Sequence, residues 1–511
     1  LLLLLLLLLL LGVPAKALRR ALERQANEPA SESSDLSPAA IERALAAEYG
    51  GAVQKLELET EGGSFVWEVG MPAMVLRMYL QSPALAPYVL QALEGRGNSH
   101  EQPWRLLLYC DELVPGAALK VNNSRKTQAY YLAIVELPAA LRAHKETWFP
   151  LAFLRSPMAK TITGSWTCLA CELLQLMFTG PSSLADAGVS VSLPGRDPLL
   201  LFFCLHGVVG DSPALQQVWG TKGCNGNVPC SLECLNLVTS KSQLAAHSLA
   251  GALQDTACTQ RSSFVQASNQ DIWDKVDELA RQKYLVNKTR FKELEIAAGM
   301  NYVPTGVLAN TELRRHIRPA DSNMCDPMHV LVSNGVLCFE IFELFTHCGW
   351  SHCYNSMRAL SSATWKQAKW RQQVSISRPF DSHHQKASEG TERSFKCQAS
   401  EMLSLLPLLR YFVDIVLART HDFALQVGSF QAAHDFLHMV SQSKKNGNAY
   451  VNPARLDAAA TRHLEAFKAA YGLDHLKPKH HQELHVADNA RKVLDMISVN
   501  LSTSLYLSQC P

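Results

Sequence analysis

Two aspartates follow strongly apolar runs in the first half of the chain. Asp111 ends the run RLLLYC, and Asp211 ends the longer run LLLFFCLHGVVG. Runs of this kind predict buried strands, so each run would deliver a carboxylate at the end of a strand. Two acids on neighbouring strands suit phosphodiester chemistry with two metal ions about 4 Å apart, one activating water and the other stabilising the leaving oxygen. The alternative is that both aspartates only end their strands, since Asp is common in turns.

A cysteine-rich turn offers a second kind of site. The segment KGCNGNVPCSLECLN (222–236) places Cys224, Cys230 and Cys234 around a Gly-rich turn. Thiolates are good zinc ligands, because zinc prefers S and N donors in a tetrahedral shell. The Cys230/Cys234 pair then needs ligands from elsewhere, either His329 or the histidines of KPKHHQELH (477–485). The alternative is a set of buried free thiols beside a turn.

Asp326 and His329 lie in DPMH, at the predicted start of a helix. At a spacing of three they share one helix face, which suits orientation of a metal ion or of the zinc-binding pair. The alternative is that Asp326 caps free backbone N–H groups while His329 packs locally.

Basic residues near aromatic side chains suggest contact with nucleic acid. The segment WKQAKWRQ (365–372) combines cations for phosphates with tryptophans for base stacking, and KPKHH adds two lysines. Either segment is alternatively an ordinary amphipathic helix or a solvated turn. The predicted nucleic-acid contacts in these two segments are Lys366, Lys369, Arg371, Lys477 and Lys479.

The elements that must position these residues are strands in the first half and helices later. Strand, turn and strand are predicted over 104–136, and helices over 165–180, 270–300, 325–349 and from 401 to about 471. The chain has 511 residues, 47% of them hydrophobic and 18% charged, which allows two or three domains with a large core. Its net charge of +2 means that a nucleic-acid partner would need local basic patches, and its 14 irregularly spaced cysteines favour reduced thiols.

Changes in composition predict six regions along the chain. The leucine run with Ala-x-Ala at Ala15–Ala17 resembles a signal peptide, although it is too short for a membrane span of about 20 residues. The regions are a low-complexity or targeting segment (1–36), an N-terminal α+β region (37–103), a core with the Cys-rich insertion (104–240), a helical region with Asp-x-x-His (241–365), a polar basic linker (366–400) and a helical C-terminal region (401–511).

The order of these motifs resembles the transposases of CACTA (En/Spm-like) elements, within the DDE transposases, over about residues 104–495. The resemblance implies an α/β (α+β) fold: a ribonuclease H-like mixed-sheet core, a Cys-containing insertion and a largely helical C-terminal half. It implies Asp111 and Asp211 as catalytic acids binding Mg²⁺ or Mn²⁺. Cys230, Cys234, Asp326 and His329 would be metal ligands in the insertion, with structural Zn²⁺. Arg125 and Lys126, in the R-K-x-Q pattern, would contact nucleic acid.

The resemblance also implies a third catalytic acid, a glutamate in the stretch that follows the KPKHH segment. This chain departs from that pattern, because no glutamate follows Glu483. We take Glu340 as the substitute, with Glu343 as an alternative. The other interpretation is that both glutamates are packing residues at the edge of an apolar helix. The missing initiator Met, the leucine repeat and the abrupt C-terminus predict a decayed or truncated copy with weak or absent activity.

Three functions are therefore expected from the sequence. The first is metal-dependent DNA strand cleavage and transfer in the nucleus, with DNA as partner, a homo-oligomeric state and no membrane association. The second is DNA binding without catalysis. The third is a secreted or organellar enzyme, which applies if the leucine run is a signal peptide.

Overall fold

The structure is a computed structural model, and every structural statement concerns the residues that it describes: 51–113, 126–142, 144, 147–239, 252–353, 355–357, 394–397, 399–446 and 452–492. The strands are β1 (Val53–Thr60), β2 (Gly63–Gly70), β3 (Trp104–Leu113), β4 (Thr127–Ile134), β5 (Phe149–Arg155), β6 (Val189–Val191), β7 (Leu199–Leu201), β8 (Phe203–Gly210) and β9 (Asn323–Cys325). The helices of the first two thirds are α1 (Pro72–Leu80), α2 (Ala86–Gly95), α3 (Ala139–Arg142), α4 (Ser156–Ala159), α5 (Ser165–Phe178), α6 (Ser212–Trp219), α7 (Asn269–Gln282), α8 (Lys288–Ala298) and α9 (Pro319–Ser322). Those of the last third are α10 (Pro327–Leu331), α11 (Val336–Cys348), α12 (Ala399–Ile415), α13 (Ala424–Asn446), α14 (Pro453–Tyr471) and α15 (Pro478–Lys492).

A mixed sheet with the strand order β1-β2-β5-β4-β3-β8-β9 forms the centre of the described chain. Neighbours from β1 to β3 are antiparallel, whereas β3, β8 and β9 run parallel to one another. The short strands β6 and β7 form a separate antiparallel pair. The expected mixed-sheet α/β class is therefore confirmed.

The central strand β3 is apolar throughout because both of its faces are covered. Leu106 and Leu108 point into a large core shared with α1, α5 and α6, while Leu107 and Tyr109 join a smaller cluster on the other face. Every residue of β4 is buried as well. The apolar strands β3 and β4 are thus neighbours in the interior of the sheet.

The C-terminal half is helical, as expected. Helix α13 packs against α14 and α11, and α14 packs against α15. The stretch Pro327–Cys348 is the described segment with the length and apolar character of a membrane span, and 78% of its most apolar window is buried inside the protein. A core helix meets these criteria equally well.

Two predicted helices are each broken once. The stretch 270–300 divides into α7 and α8, where Asn287 caps the second helix by accepting a hydrogen bond from the backbone N–H of Arg290. The stretch 325–349 divides at Asn334, whose φ of +48° is left-handed and ends a right-handed helix. The predicted segment 1–36, the first residues of the predicted N-terminal region (37–50) and most of the predicted linker 366–400 lie outside the described residues.

The sheet takes strands from three of the regions predicted by composition. Strands β1 and β2 come from the 37–103 region, β3, β4, β5 and β8 from the 104–240 region, and β9 from the 241–365 region. Strand β9 has only three residues, but it extends the parallel part of the sheet that carries the predicted acids.

Candidate functional site

Three aspartates lie side by side at the carboxyl ends of β3, β8 and β9. In the parallel registers Cys110 pairs with Gly210, and Gly210 pairs with Cys325. The next residue on each strand is an aspartate, namely Asp111, Asp211 and Asp326. Because neighbouring strands are about 4.8 Å apart, all three carboxylates start within about 10 Å of one another. We call Asp111, Asp211 and Asp326 the strand-end acids.

Glycine at position 210 permits the close approach of these strands. A Cβ atom at Gly210 would lie 3.0 Å from the backbone oxygen of Cys110, which is tighter than nearly all real contacts. The small residue therefore lets Asp111 and Asp211 lie on adjacent, tightly paired backbones.

The strand-end acids differ in the groups that contact their oxygens. Asp111 accepts a hydrogen bond from the Tyr109 hydroxyl at 3.2 Å and a further one from the backbone N–H of Glu112. Asp211 caps α6 by accepting a hydrogen bond from the backbone N–H of Ala214 at 2.8 Å. Neither of these two carboxylates forms an ion pair within the described residues, so both can still bind a cation.

Asp326 is more fully engaged and is buried. Its Oδ1 accepts a hydrogen bond from the backbone N–H of Met328 at 2.9 Å, and its Oδ2 lies 2.7 Å from Nδ1 of His329. Asp326 therefore has the capping role that the sequence left open, together with a direct contact to His329. The predicted Asp326/His329 pair exists, and it lies beside Asp111 and Asp211.

The electrostatics of this cluster favour a bound cation. Burial raises the pKa of Asp111 to about 7, opposed by His329 and reinforced by the charges of Asp211 and Asp326. Burial lowers the pKa of His329, but Asp326, followed by Asp111 and Asp211, outweighs burial and raises that pKa to about 9. With three carboxylates and one imidazolium the ionised cluster has a net negative charge, so a divalent ion would relieve the repulsion.

A second cluster joins two cysteines from the turn after α6 to two histidines of α15. Nε2 of His485 lies 3.2 Å from Sγ of Cys230, 3.7 Å from Sγ of Cys234 and 3.1 Å from Nε2 of His481. All four candidate ligand atoms lie within 4.8 Å of one another. We call these four residues the Cys2His2 cluster.

These separations fit a tetrahedral metal ion. Zinc–sulfur bonds of about 2.3 Å and zinc–nitrogen bonds of about 2.0–2.1 Å give tetrahedron edges of roughly 3.3 Å for N–N, 3.6 Å for N–S and 3.8 Å for S–S. The three measured separations around His485 are 3.1, 3.2 and 3.7 Å. The Cys2His2 cluster can therefore hold a metal ion such as zinc.

Residues around the Cys2His2 cluster orient its ligands. Nδ1 of His485 lies 3.1 Å from Asp488, which in turn accepts a hydrogen bond from Nε of Arg261 at 2.8 Å. A carboxylate on Nδ1 fixes the tautomer whose Nε2 lone pair faces the metal. A cavity of about 70 Å³ beside the cluster, lined in part by Gln482 and His481, gives an ion a way in.

Glu340, the predicted third catalytic acid, lies in a different environment. Its carboxylate is fully buried and accepts hydrogen bonds from Ser429 at 2.8 Å and Tyr471 at 3.0 Å, with Nε2 of His463 at 3.3 Å. The acids whose charges act on Asp111 are Asp211 and Asp326. The described structure therefore places Asp326, rather than Glu340, next to the first two acids. Asp326 reaches this position because it directly follows the short strand β9, which pairs with β8 beside β3.

Glu340 belongs to a buried polar network that joins four helices. His463 contacts Glu340 through Nε2 and Glu483 through Nδ1, the latter at 2.8 Å. Burial opposes the imidazolium, but Glu483 and Glu340 outweigh it and raise the pKa of His463 to about 10. The alternative Glu343 has its own partner, Nδ1 of His475 at 2.8 Å. The structure thus gives both glutamates packing roles between helices.

The predicted nucleic-acid residues are only partly described. Lys126 is half-exposed and forms an ion pair with Glu112 at 2.7 Å. Lys477 is half-buried, and its backbone N–H donates to Nδ1 of His480. The ammonium of Lys479 donates to the backbone oxygens of His329, Ser333 and Asn334, which places it at the end of α10. Arg125, Lys366, Lys369 and Arg371 lie outside the described residues.

The sequence signals for the two clusters were unequal. The i, i+4 spacing of His481 and His485 on a helix was visible, as was the need of Cys230 and Cys234 for outside ligands. His329, the other candidate ligand, instead lies against Asp326. Cys224 lines the cavity but is not among the four clustered ligands.

Comparison of the chain with protein-family models and with curated proteins finds no match.

Proposed function

We propose that this chain is a transposase-like protein that cleaves and transfers DNA strands with Mg²⁺ or Mn²⁺, and that its activity is weak. The observation that carries the proposal is the set of strand-end acids on three neighbouring parallel strands. The sheet order β5-β4-β3-β8-β9, with three antiparallel strands followed by two parallel ones, supports the ribonuclease H-like core expected from the resemblance. DNA in the nucleus is the proposed substrate.

Asp111 and Asp211 are the principal ligands in this proposal. Neither is in an ion pair within the described residues, and carboxylate oxygens are the ligands that Mg²⁺ and Mn²⁺ prefer. A bound ion would lower the pKa of a coordinated water and stabilise the leaving oxygen of a phosphodiester. The chain's own part is to hold the two carboxylates on rigid, buried strands.

The weakness of the activity follows from Asp326. Both of its oxygens are engaged, one by the α10 cap and the other by His329. To serve as a third ligand it must give up the contact with His329. A second metal ion would consequently be held poorly, and cleavage that needs two ions would be slow.

Zinc in the Cys2His2 cluster has a structural role in this proposal. The four protein ligands close the coordination shell, which is typical of structural rather than catalytic zinc. The ion would join the turn after α6 to α15, two segments separated by about 250 residues.

Calorimetric titration with Mn²⁺ tests the strand-end acids directly. We expect the zinc-loaded chain to bind Mn²⁺, and the Asp111→Asn and Asp211→Asn variants to lose that binding while keeping the parental circular dichroism spectrum. Glu112→Gln is the matched control, because Glu112 is the next residue on the same strand but is paired with Lys126 and Ser156. Equal binding by parent and both aspartate variants would remove the metal site from the proposal.

Nicking of supercoiled plasmid with Mn²⁺ then tests the chemistry. We expect slow nicking that is lost in both aspartate variants and retained in Glu112→Gln. Nicking that persists in both aspartate variants would not depend on Asp111 and Asp211, and it would contradict the proposed catalytic role of these residues.

The engaged carboxylate of Asp326 also favours the second candidate function, DNA binding without catalysis. In that case DNA affinity falls steeply with salt while plasmid nicking is absent at every Mn²⁺ concentration. Affinity that stays flat between about 50 and 200 mM salt would exclude it, because phosphate contacts release counterions in that range.

A further inference from the structure

The turn between α7 and α8 is an exposed basic hairpin tip. The twelve residues RQKYLVNKTRFK (281–292) contain five lysines and arginines and no acid. At their centre Tyr284 is 80% exposed and Leu285 is 74% exposed, the highest values among the exposed large hydrophobic residues described. We call residues 281–292 the hairpin tip.

The base of the hairpin is fixed to the body of the protein. Helix α7 begins with a capping box at Ser268 and buries Ile272, Trp273, Val276 and Leu279. The far end of α8 is tied to the turn after α6, where the backbone N–H of Asn227 donates to Ile296. The hairpin that carries the tip is thus anchored to the body of the protein at both of its ends.

Three of the five cations of the tip are available to an outside anion. Within the described structure, no carboxylate lies within ion-pair distance of Lys283, Lys288 or Lys292, whereas Arg281 pairs with Glu278 and Arg290 pairs with Glu293. Nζ of Lys283 lies 5.9 Å from the centre of the Tyr284 ring. Cationic and aromatic groups are therefore combined at one place.

We infer that the hairpin tip binds DNA, with Tyr284 stacked on an unpaired base and Lys288 and Lys292 on the flanking phosphates. Base stacking on an aromatic ring needs no particular sequence, and lysines that follow the backbone supply the long-range attraction. This inference deepens the proposed function, on which the choice of DNA as partner rests.

An anionic membrane is a poorer fit to the same residues. A helix that lies on a membrane presents a continuous apolar face to the lipid. In α8 the apolar residues Phe291 and Leu294 pack against the protein core, while Lys288, Arg290 and Lys292 face the solvent. Only Tyr284 and Leu285 would remain for lipid, which is a small area for insertion.

Fluorescence anisotropy with a labelled 20-nucleotide single strand tests the inference. The protein is the full chain with Asp111→Asn, without Mn²⁺, so that no cleavage occurs. We expect Tyr284→Ala to weaken binding about 5- to 150-fold and Tyr284→Phe to keep it, since stacking needs the ring but not the hydroxyl. Lys288→Gln/Lys292→Gln should lower the slope of log affinity against log salt by about 1.4, or about 0.7 for each phosphate contact on a single strand.

Two control variants remove similar groups elsewhere on the surface. Leu473→Ala removes an exposed apolar side chain, and Lys55→Gln/Arg77→Gln removes two exposed charges. Both should bind the oligonucleotide as the parent does. A bromodeoxyuridine photo-crosslink mapped to residues 281–292 by mass spectrometry would add a direct contact.

The outcomes separate this inference from the proposed function. Binding unchanged by Tyr284→Ala, or Tyr284-dependent binding to phosphatidylserine vesicles but not to DNA, would overturn the hairpin inference even if the parent nicks plasmid. If the parent chain never nicks plasmid but binds DNA in a Tyr284-dependent way, the hairpin inference is supported. Only the proposed cleavage activity is then contradicted.

Discussion

Replacing Asp111 with asparagine should stabilise the metal-free protein at pH 8, because Asp111 carries an unfavourable charge there. Its pKa is raised from 3.8 to about 7 by burial and by the neighbouring acids. The folded protein thus holds this proton more tightly than the unfolded chain. Its stability falls as pH rises from about 4 to about 7, and the full penalty is present at pH 8.

The size of the effect follows from the size of the pKa shift. At 1.36 kcal/mol for each pKa unit, a shift of about three units corresponds to at most about 4 kcal/mol. Asparagine still buries a polar group and can accept the Tyr109 hydrogen bond, so we expect a gain of about 1–3 kcal/mol, within the penalty set by linkage. At pH 4 the gain should shrink, since the parent carboxyl is then largely protonated in the folded state.

Added Mn²⁺ should reverse the order of stability. A ligand at 1,000 times its dissociation constant stabilises the folded state by about 4.1 kcal/mol, which exceeds the gain expected for Asp111→Asn. The parent has the site and Asp111→Asn does not, so Mn²⁺ should raise the urea midpoint of the parent alone. Urea unfolding at pH 4 and pH 8, with and without Mn²⁺, measures all of these differences.

Glu112→Gln is a control variant whose expected effect on stability has the opposite sign. Its carboxylate accepts hydrogen bonds from Lys126 and Ser156, which lower its pKa against the effect of burial. Its stabilising contribution is present near neutral pH and is lost as pH falls, and an exposed pair is worth only about 0–1 kcal/mol. Two results would contradict this role of Asp111: destabilisation of the metal-free protein by Asp111→Asn at pH 8, or equal stabilisation of parent and variant by Mn²⁺.

Three further results are expected. Cys230→Ser should abolish stoichiometric zinc by mass spectrometry of the purified chain, whereas Cys224→Ser should retain it, because Cys224 is outside the Cys2His2 cluster. Glu340→Gln should cost about 1–3 kcal/mol in urea unfolding, since it disturbs a buried polar network, yet leave Mn²⁺ affinity unchanged; a large loss of Mn²⁺ affinity would restore Glu340 as a metal ligand. Lys479→Met should destabilise the chain by about 1–3 kcal/mol, because three carbonyls lose their donor, and leave the salt slope of DNA binding as it was; a smaller slope would show that this lysine contacts phosphate.

The first two acids were predictable because their strands are long and buried. The runs before Asp111 and Asp211 are apolar at nearly every position, which is typical of parallel strands covered on both faces. Asp326 was predicted as a helix start and as a metal ligand of the Cys-rich insertion, but not as a neighbour of Asp111 and Asp211. Its strand is Asn-Met-Cys, three residues without a periodic signal, and it exists through pairing with β8, more than 110 residues earlier.

The Cys2His2 cluster was half predictable for a similar reason. The cysteines and the spacing of His481 and His485 are local features, but which histidines meet the cysteines depends on where α15 packs. For the lysines, local sequence did not distinguish a structural role from an exposed one. Lys479 and Lys288 look alike in the sequence, yet one donates to three carbonyls and the other faces the solvent. Packing decides their roles.

Helix α15 connects the two clusters. It carries two ligands of the Cys2His2 cluster, and it also holds the strand that ends at Asp326. The side-chain amide of Asn489 donates to the backbone oxygen of Cys325 at 2.9 Å, and the ammonium of Lys492 donates to that of Asn323 at 3.1 Å. His481, His485, Asn489 and Lys492 follow one another at helical spacing, so the zinc ligands and the residues that contact β9 share one face of α15. A metal ion held by His481 and His485 would therefore steady β9.

Removing zinc should for that reason weaken Mn²⁺ binding, although no zinc ligand belongs to the strand-end acids. Without the ion, α15 loses its link to the turn after α6, and the contacts of Asn489 and Lys492 with β9 become looser. Calorimetric titration of the zinc-stripped chain with Mn²⁺ measures this coupling, and Asn489→Ala in the zinc-loaded chain should shift the affinity in the same direction. If the stripped protein binds Mn²⁺ as tightly as the loaded one, with hydrogen exchange of β9 unchanged, the two sites are independent and α15 serves only to close the fold.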